Sequence, residues 1–507
     1  MKYSVITGLA TFALVAVVRA VEFHVAITGN DAGPGSLALP FRSIQHAADL
    51  AQPGDVITVH AGIYRERINP PRGGTSDQNR IIYQAAAGEK VVITGSEIIT
   101  NWVRVTNDIW TVTLPNSFFG SFNPYSDLIH GDWFNPNGRQ HHTGAVYVNG
   151  NWLDEAVTLD DFTNPSGTHQ PLWFGQVAKD NTMLWAQFKE VDPNGGKVEI
   201  NVRQTVFTPS KPGINFITVR GFDLRNAATP WAPPTAGQMG IISAYWCKGW
   251  IIENNEISYS KCSGVALGKY GDEWDNRAES AEGYVGTLTR ALTNGWNKAT
   301  VGSHIVRSNH IHHCEQTGVV GSLGCAFSTV TDNEIHDIHI RSLFDGAEMA
   351  GIKFHGAIDV VISHNHIYRC GTVGGIWLDW MAQGTQVTGN LLHDNNLDVF
   401  CEMQHGPLLI DNNLLLSPTT SFWLNSQGMA IVHNLIVGPV NNTRNDTRAT
   451  PFHKPHSTEL AGMCTDSNAN DSGDHRFHNN MFAAPCNLSV LDNSALPCFH
   501  SGNINIT

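Results

Sequence analysis

Gly351-Ile352-Lys353-Phe354-His355, Gly375-Ile376-Trp377-Leu378-Asp379, Asp398-Val399-Phe400-Cys401-Glu402 and Ser421-Phe422-Trp423-Leu424-Asn425 align without a gap, at spacings of 24, 23 and 23 residues. Successive side chains of a strand point to opposite faces. Ile352, Ile376, Val399 and Phe422 therefore share an inner side with Phe354, Leu378, Cys401 and Leu424. The outer side carries two rows, Lys353-Trp377-Phe400-Trp423 and His355-Asp379-Glu402-Asn425. Stacked in parallel at ~4.8 Å, the four segments make Asp379 and Glu402 direct neighbours on one outward face. Two carboxylates that close are costly unless a reaction uses them. The equivalent outer positions of Gly264–Gly268 and Gly318–Ser322 are small, which confines the polar row to a few turns of the repeat.

Working outward, the repeat has a second marker. A β-branched run, an asparagine and an apolar pair recur at Asn255, Asn309, Asn333, Asn365, Asn390, Asn413 and Asn434, at intervals of 54, 24, 32, 25, 23 and 21. A period near 22 with a fixed asparagine is the pattern of a β-solenoid, whose coils bury their apolar faces on one another. The asparagines are expected to take the left-handed turn and to bond to each other as a ladder. Insertions break the period at 269–301, with a helix expected near Val285–Leu292, and at Ile340–Glu348. Such excursions gather around binding faces. The opening, with an amphipathic helix at about 41–52 and the turn Pro53-Gly54-Asp55, looks like a cap over the open end of a coil stack. Residues 96–207 lack the repeat and alternate in short runs such as Trp110–Leu114 and Thr182–Ala186, as antiparallel strands do. The fold expected is all-β: a right-handed parallel β-helix with an inserted β-sandwich. Its segments are a signal at 1–20, the cap and first coils at 21–95, the sandwich at 96–207, and the main coil with a C-terminal tail at 208–507.

Composition narrows the partners. The chain has 507 residues, a net charge of −14 and only 15% charged residues, which opposes nucleic acid and fits a neutral substrate. Met1–Ala20 reads as a secretory signal, and no other run suits a membrane span. Sequons at Asn441, Asn445, Asn470, Asn487 and Asn505 agree with an extracellular glycoprotein. Among nine cysteines, Cys486–Cys498 is the first bridge expected, and Cys401 falls on the inner side as a buried thiol. The runs His310-Ile311-His312-His313 and His336-Asp337-Ile338-His339 fit strand and turn positions of the repeat, with no matching carboxylate set apparent in the sequence. No metal and no other cofactor is therefore expected. Oligomeric state is not legible.

A separation of roughly 5 Å between the Asp379 and Glu402 carboxyls is what a retaining glycosidase needs, about 5–5.5 Å against ~6.5–9.5 Å for an inverting one. One carboxylate attacks the anomeric carbon and the other serves as acid and then base; stacking does not say which. Trp377, Trp380 and Trp423 offer flat faces for sugar rings. Lys353, His355 and His405 could bind hydroxyls or tune the carboxylates, and Asn425 and Glu348 complete the expected substrate-binding set.

Gly375-Ile376-Trp377-Leu378-Asp379-Trp380-Met381-Ala382-Gln383-Gly384 and Glu402-Met403-Gln404-His405-Gly406-Pro407 resemble motifs of glycoside hydrolase family 120, the β-xylosidases. Glu273–Arg277 and the opening through Gly62–Glu66 are also similar, and the likeness spans nearly the whole mature chain except about 440–507. The resemblance implies a β-helix interrupted by a β-sandwich and a secreted exo-enzyme that releases xylose from xylo-oligosaccharides with retention. It puts the nucleophile on Asp379 and the acid/base on Glu402. Two other classes stay open from the residues alone. A uronate lyase would use Lys353 as base and release an ultraviolet-absorbing product. A non-catalytic glycan-binding solenoid would lose nothing with Asp379.

Overall fold

Three parallel sheets of 13, 12 and 8 strands wind into one coil in the computed structural model. It describes residues 20–506 apart from 166–169, 197, 372–373, 444–445, 447, 465–471, 485 and 493. The third sheet is the shortest because it begins only at Gly240–Ser243 and ends at Val440–Asn442. Ile57, Val219, Ile252, Ile311, Ile335, Ile367, Leu392 and Ile436 fill the lumen, all inaccessible to solvent. The signal expected at 1–20 lies almost wholly outside the described residues, as do the sequons Asn445 and Asn470. Asn441, Asn487 and Asn505 are exposed.

An asparagine ladder runs from Asn255 to Asn503. The Asn333 backbone N–H and its Nδ2 both donate to Asn365 Oδ1, at 3.0 and 2.9 Å, and Asn365 repeats the pattern onto Asn390. The ladder continues through Asn413 and Asn434 to Asn480 and Asn503. The left-handed residue is not the asparagine itself, as the sequence reading had it, but the one before it: Asn254, Ser308, Asp332, His364, Gly389, Asn412, His433, Asn479 and Gly502 all have positive φ. The turn points the following asparagine into the coil, where its backbone N–H, Nδ2 and Oδ1 pair with neighbouring coils, and each lost partner would cost about 1–3 kcal/mol. The 440–507 segment extends this stack. Arg476–His478 and Phe499–Ser501 join the first sheet, and Met481–Phe482 and Ile504–Asn505 the second.

The cap helix is Ile44–Leu50, shorter than expected because Ser43 ends the extended segment and accepts from the His46 N–H. Glu66 receives the next free N–H groups, of Ile44 and Gln45, at 3.0 and 2.9 Å. The excursion helix, Ala281–Thr293, is longer than expected and starts at the N-cap Ser280. The chain leaves the coil after Val91–Thr94 and returns where Phe207 bridges Ile68 and Ile242. In between, a largely antiparallel five-stranded sheet and a four-stranded sheet pack over Trp102, Tyr125, Val146, Trp173, Leu184 and Ile200. Arg341 ties this insert to the coil, its guanidinium 3.6 Å from the Trp152 ring and its Nε 3.1 Å from Glu315. Asp345–Gly346 also pairs with Phe134–Asn135 of the insert.

The expected Cys486–Cys498 bridge is not formed. Cys486 and Cys498 instead pack separately against the last turns of the core, where they act as small apolar side chains. Cys401 is fully buried in the lumen.

Candidate active site

On the third sheet, strands Ala350–His355, Ile376–Asp379, Val399–Glu402 and Phe422–Asn425 are consecutive neighbours. Their register pairs His355 with Asp379, Asp379 with Glu402 and Glu402 with Asn425. The lumen fixes this alignment, since a slip of one residue would turn Leu378 and Cys401 outward. Trp380 and Met381, just after Asp379, and Met403, just after Glu402, have positive φ, so the chain turns sharply where each carboxylate is presented. Lys353, Trp377, Phe400 and Trp423 form the adjacent row. Trp377 and Phe400 stack at 5.0 Å, and Phe400 and Trp423 at 5.1 Å.

The row faces away from the lumen, yet the excursions bury most of it. Lys353 is fully inaccessible and Asp379 is 5% exposed. Lys353 Nζ lies 2.6 Å from Asp379 Oδ2, 3.5 Å from Glu348 Oε2 and 3.1 Å from the centre of the Trp377 ring. His355 Nε2 lies 2.9 Å from the same Asp379 Oδ2. Asp379 Oδ1 has no hydrogen-bond partner among the described residues. Burial pushes the Asp379 carboxyl up, but His355 and Lys353 overturn that and hold it below the usual carboxylate range. Burial lowers the His355 pKa, and its Nε2–H faces and donates to the carboxylate. Glu402 moves the other way. Burial, then the Asp379 charge, raises it to about 7, against the opposing pull of Arg448, whose Nη2 lies 2.7 Å from Glu402 Oε1. Burial lifts Glu348 further, to about 8. Two of the three clustered carboxyls thus have pKa values raised toward neutrality while that of Asp379 is lowered. Glu348, His355 and Asp379 also have the mutual spacing of metal ligands, and Lys353 Nζ already sits at the carboxylates as a cation.

These groups open onto a cavity of about 390 Å³. Of the residues chosen from sequence, Asp379, Glu402, His355, Trp377, Trp380, Trp423, Asn425 and Glu348 line it. Lys353 does not; it lies beneath the Trp377 ring as a buried counter-ion. His405 is carried away by the turn after Glu402 and bonds to Thr450 Oγ1 at 2.7 Å, so it is not part of the cavity wall. Sequence reasoning missed Arg448, Tyr284 and Trp133. Arg448 arrives from the C-terminal segment, paired with Asp446, which also accepts from Asn425 Nδ2. Tyr284, from the excursion helix, sets its ring edge-on to His355 and Trp380 at 5.0 and 5.3 Å. Trp133 comes from the insert. All three lie outside the repeat, so no periodicity marks them. The general expectation that excursions gather at a site pointed toward the segments of Tyr284 and Trp133, and nothing in the sequence pointed to Arg448.

Comparison with known proteins agrees with this architecture. Residues 99–200 match the insertion domain of glycoside hydrolase 120, and residues 240–437 match the right-handed β-helix region. The solved complex of XylC with xylose is 41% identical, covers 96% of this chain and 83% of its own, and superposes with a TM-score of 0.90. A structure described as a glycoside hydrolase shares the fold alone, at 10% identity and a TM-score of 0.51 over 96% of this chain and 97% of its own. A 75-residue stretch is 31% identical to the uncharacterized protein YwoF of Bacillus subtilis (strain 168), covering 15% of this chain and 16% of that protein.

The buried cation should matter to folding as well as chemistry. Lys353→Met leaves Asp379 buried without its Nζ partner, at a cost of about 3–5 kcal/mol at pH 7. Loss of Nζ removes one of the two groups that hold the Asp379 carboxyl down, so its folded-state pKa is higher in that variant than in the parent protein. The deficit is therefore fully present at high pH and shrinks as acid protonates the carboxyl. Denaturant unfolding of both proteins at pH 7 and pH 5 checks this: an equal deficit at both pH values would contradict it.

Proposed function

The chain belongs to glycoside hydrolase family 120, a family of xylosidases, and on that premise we propose that it is a retaining exo-β-1,4-xylosidase that removes xylose from the non-reducing end of short xylo-oligosaccharides. One observation carries the reading. Asp379 and Glu402 stand in register on adjacent strands of one cavity, and their surroundings drive their protonation states apart. Strands at this spacing put the carboxyls near the separation of a double-displacement pair.

In this scheme Asp379 Oδ1, which has no partner among the described residues, attacks the anomeric carbon while Lys353 and His355 hold Oδ2. The C1–O bond to the leaving sugar breaks as Glu402 gives its proton to that oxygen. Esterified Asp379 no longer carries charge, so the Glu402 pKa falls and the new carboxylate, facing Arg448, is stabilised. Glu402 then takes a proton from water, whose oxygen attacks C1, releases xylose with its anomeric configuration retained and restores the Asp379 carboxylate. Trp377 Nε1 and Asn425 Oδ1 are buried without partners among the described residues and suit sugar hydroxyls. Exo action is favoured by walls built from three separate excursions, carrying Trp133, Tyr284 and Glu348. Trp423, 44% exposed, is the lining aromatic most open to solvent and suits the leaving sugar.

Asp379→Ala and Glu402→Ala should each lower kcat/KM on xylobiose by about 10²–10⁴-fold or more, with unchanged circular dichroism. Azide should rescue the Glu402 variant and give the β-xylosyl azide, identified by NMR. Near-normal activity in either variant would sink the proposal.

Acid catalysis needs protonated Glu402, so kcat/KM should fall as pH rises through about 7. The Arg448 charge opposes the rise of that pKa, so Arg448→Met should move the basic limb to higher pH. A limb that stays in place would remove Glu402 from the acid role.

Secretion belongs to the same proposal, on the strength of the apolar opening and the exposed sequons Asn441, Asn487 and Asn505. Expression in a eukaryotic secretory host should yield medium protein beginning at Val21 and shortened in mass by an endoglycosidase. Retention of Met1 in that protein would exclude the cleavage.

A further inference from the structure

On the second sheet, away from the cavity, the outer face carries a cluster that the glycosidase chemistry does not use. Strands Glu256–Ser260, His310–Cys314 and Glu334–Ile338 are neighbours there. Register sets His310 between Glu256 and Glu334, and His312 beside His336. Ile311 and Ile335 point into the lumen, so the flanking histidines and glutamates share the outside. The sequence showed no carboxylates to match the histidine runs because the interval from Glu256 to His310 contains the longest excursion of the coil region. Folding brings them together.

Proton accounting singles out one point in the cluster. His310 Nδ1 lies 3.0 Å from Glu256 Oε2, and His336 Nδ1 lies 2.7 Å from Asp337 Oδ2. A neutral imidazole beside a carboxylate puts its one N–H on the nitrogen facing that oxygen. The two Nε2 atoms face each other at 2.6 Å, while Arg369 Nη2 also faces His336 Nδ1 at 3.4 Å. Nitrogens so placed share either one proton or a metal ion held by both rings. Glu334, the cross-strand neighbour of His310, puts a carboxylate oxygen within 4.8 Å of a ring nitrogen of each histidine, and its Oε1 also accepts from the Tyr368 hydroxyl at 2.7 Å.

We propose that His310 Nε2, His336 Nε2 and Glu334 bind a divalent first-row transition ion of the zinc type. Two imidazoles and one carboxylate suit Zn²⁺ or Co²⁺ rather than Ca²⁺ or Mg²⁺, which prefer all-oxygen sites. Glu256 and Asp337 hold the far nitrogen of each ligating ring, the outer arrangement that fixes tautomer and orientation in histidine metal sites. Asp337 is in turn held by Arg369, whose Nε lies 2.6 Å from Asp337 Oδ1. His310 and Glu334 are partly or fully open on the surface, which leaves room for water as the remaining ligand. The ion would cross-link successive coils just before the chain departs on the excursion that ends at Glu348.

The test uses full-length, tag-free protein freed of metal by chelation and titrated with Co²⁺, followed by visible absorption, and with Zn²⁺, followed by calorimetry and melting temperature. One equivalent should bind, give the visible bands of four-coordinate Co²⁺ and raise the melting temperature. His310→Gln and Glu334→Gln should abolish the bands, and Asp337→Asn should weaken affinity by about 10–100-fold. Xylosidase activity should be unchanged in all three. His366 and His393 supply the control, because their Nε2 atoms also meet, at 2.7 Å, but only one ring, that of His393, has a carboxylate on its far nitrogen, Asp394 Oδ2 at 2.8 Å. His393→Gln should bind normally. Absence of Co²⁺ bands in the parent protein would mean that the contact is met by a proton alone and would overturn the proposal. Loss of binding in His393→Gln but not in His310→Gln would overturn it equally.

Discussion

The pairing of one coil with the next, atom for atom, underlies the rest of this structure. Each ladder asparagine gives its backbone N–H and its Nδ2 to the amide oxygen of the next, as Asn333 does to Asn365. This is a requirement on position as well as a source of stability, because a shifted coil would bury several donors with no acceptor. The ladder thus fixes the phase of every coil, and with it which side chains of the third sheet stand side by side. Asp379 and Glu402 meet because Asn390 and Asn413 meet.

Once paired, the two acids need opposite surroundings. The fold supplies them from different sources. Lys353 and His355, one coil away on the same sheet, keep Asp379 ionised. Burial and the Asp379 charge raise the Glu402 pKa, while Arg448 from the C-terminal segment limits that rise. Glu348, at the close of an excursion, adds a third carboxyl that burial holds protonated near neutrality. The coil provides a rigid row, and the excursions provide the low-dielectric roof that gives the row its chemistry.

The second sheet follows the same geometry with different residues. There too, a row of outward side chains is stacked coil on coil, and His310, Glu334 and His336 become neighbours although nothing in the local sequence joins them to Glu256. A solenoid makes columns of whatever its outer positions hold, so it can carry separate polar sites on separate faces.

The repeat, the lumen residues, the adjacency of Asp379 and Glu402 and the aromatic row were all legible from the chain, because they follow from strand alternation and a period near 23 residues. The left-handed turn was assigned one residue late, since asparagine preference alone does not distinguish the turn from the rung beside it. Lys353 gave no sign in the sequence of being sealed beneath Trp377, nor His405 of turning toward Thr450. Arg448, Tyr284 and Trp133 belong to no repeat, and their arrival at the cavity depends on how long segments fold back over the coil. Periodicity settles what lies one coil apart, because backbone hydrogen bonds enforce it. Burial, protonation and the cavity wall were decided by tertiary structure, because they depend on atoms brought from far along the chain to exclude water.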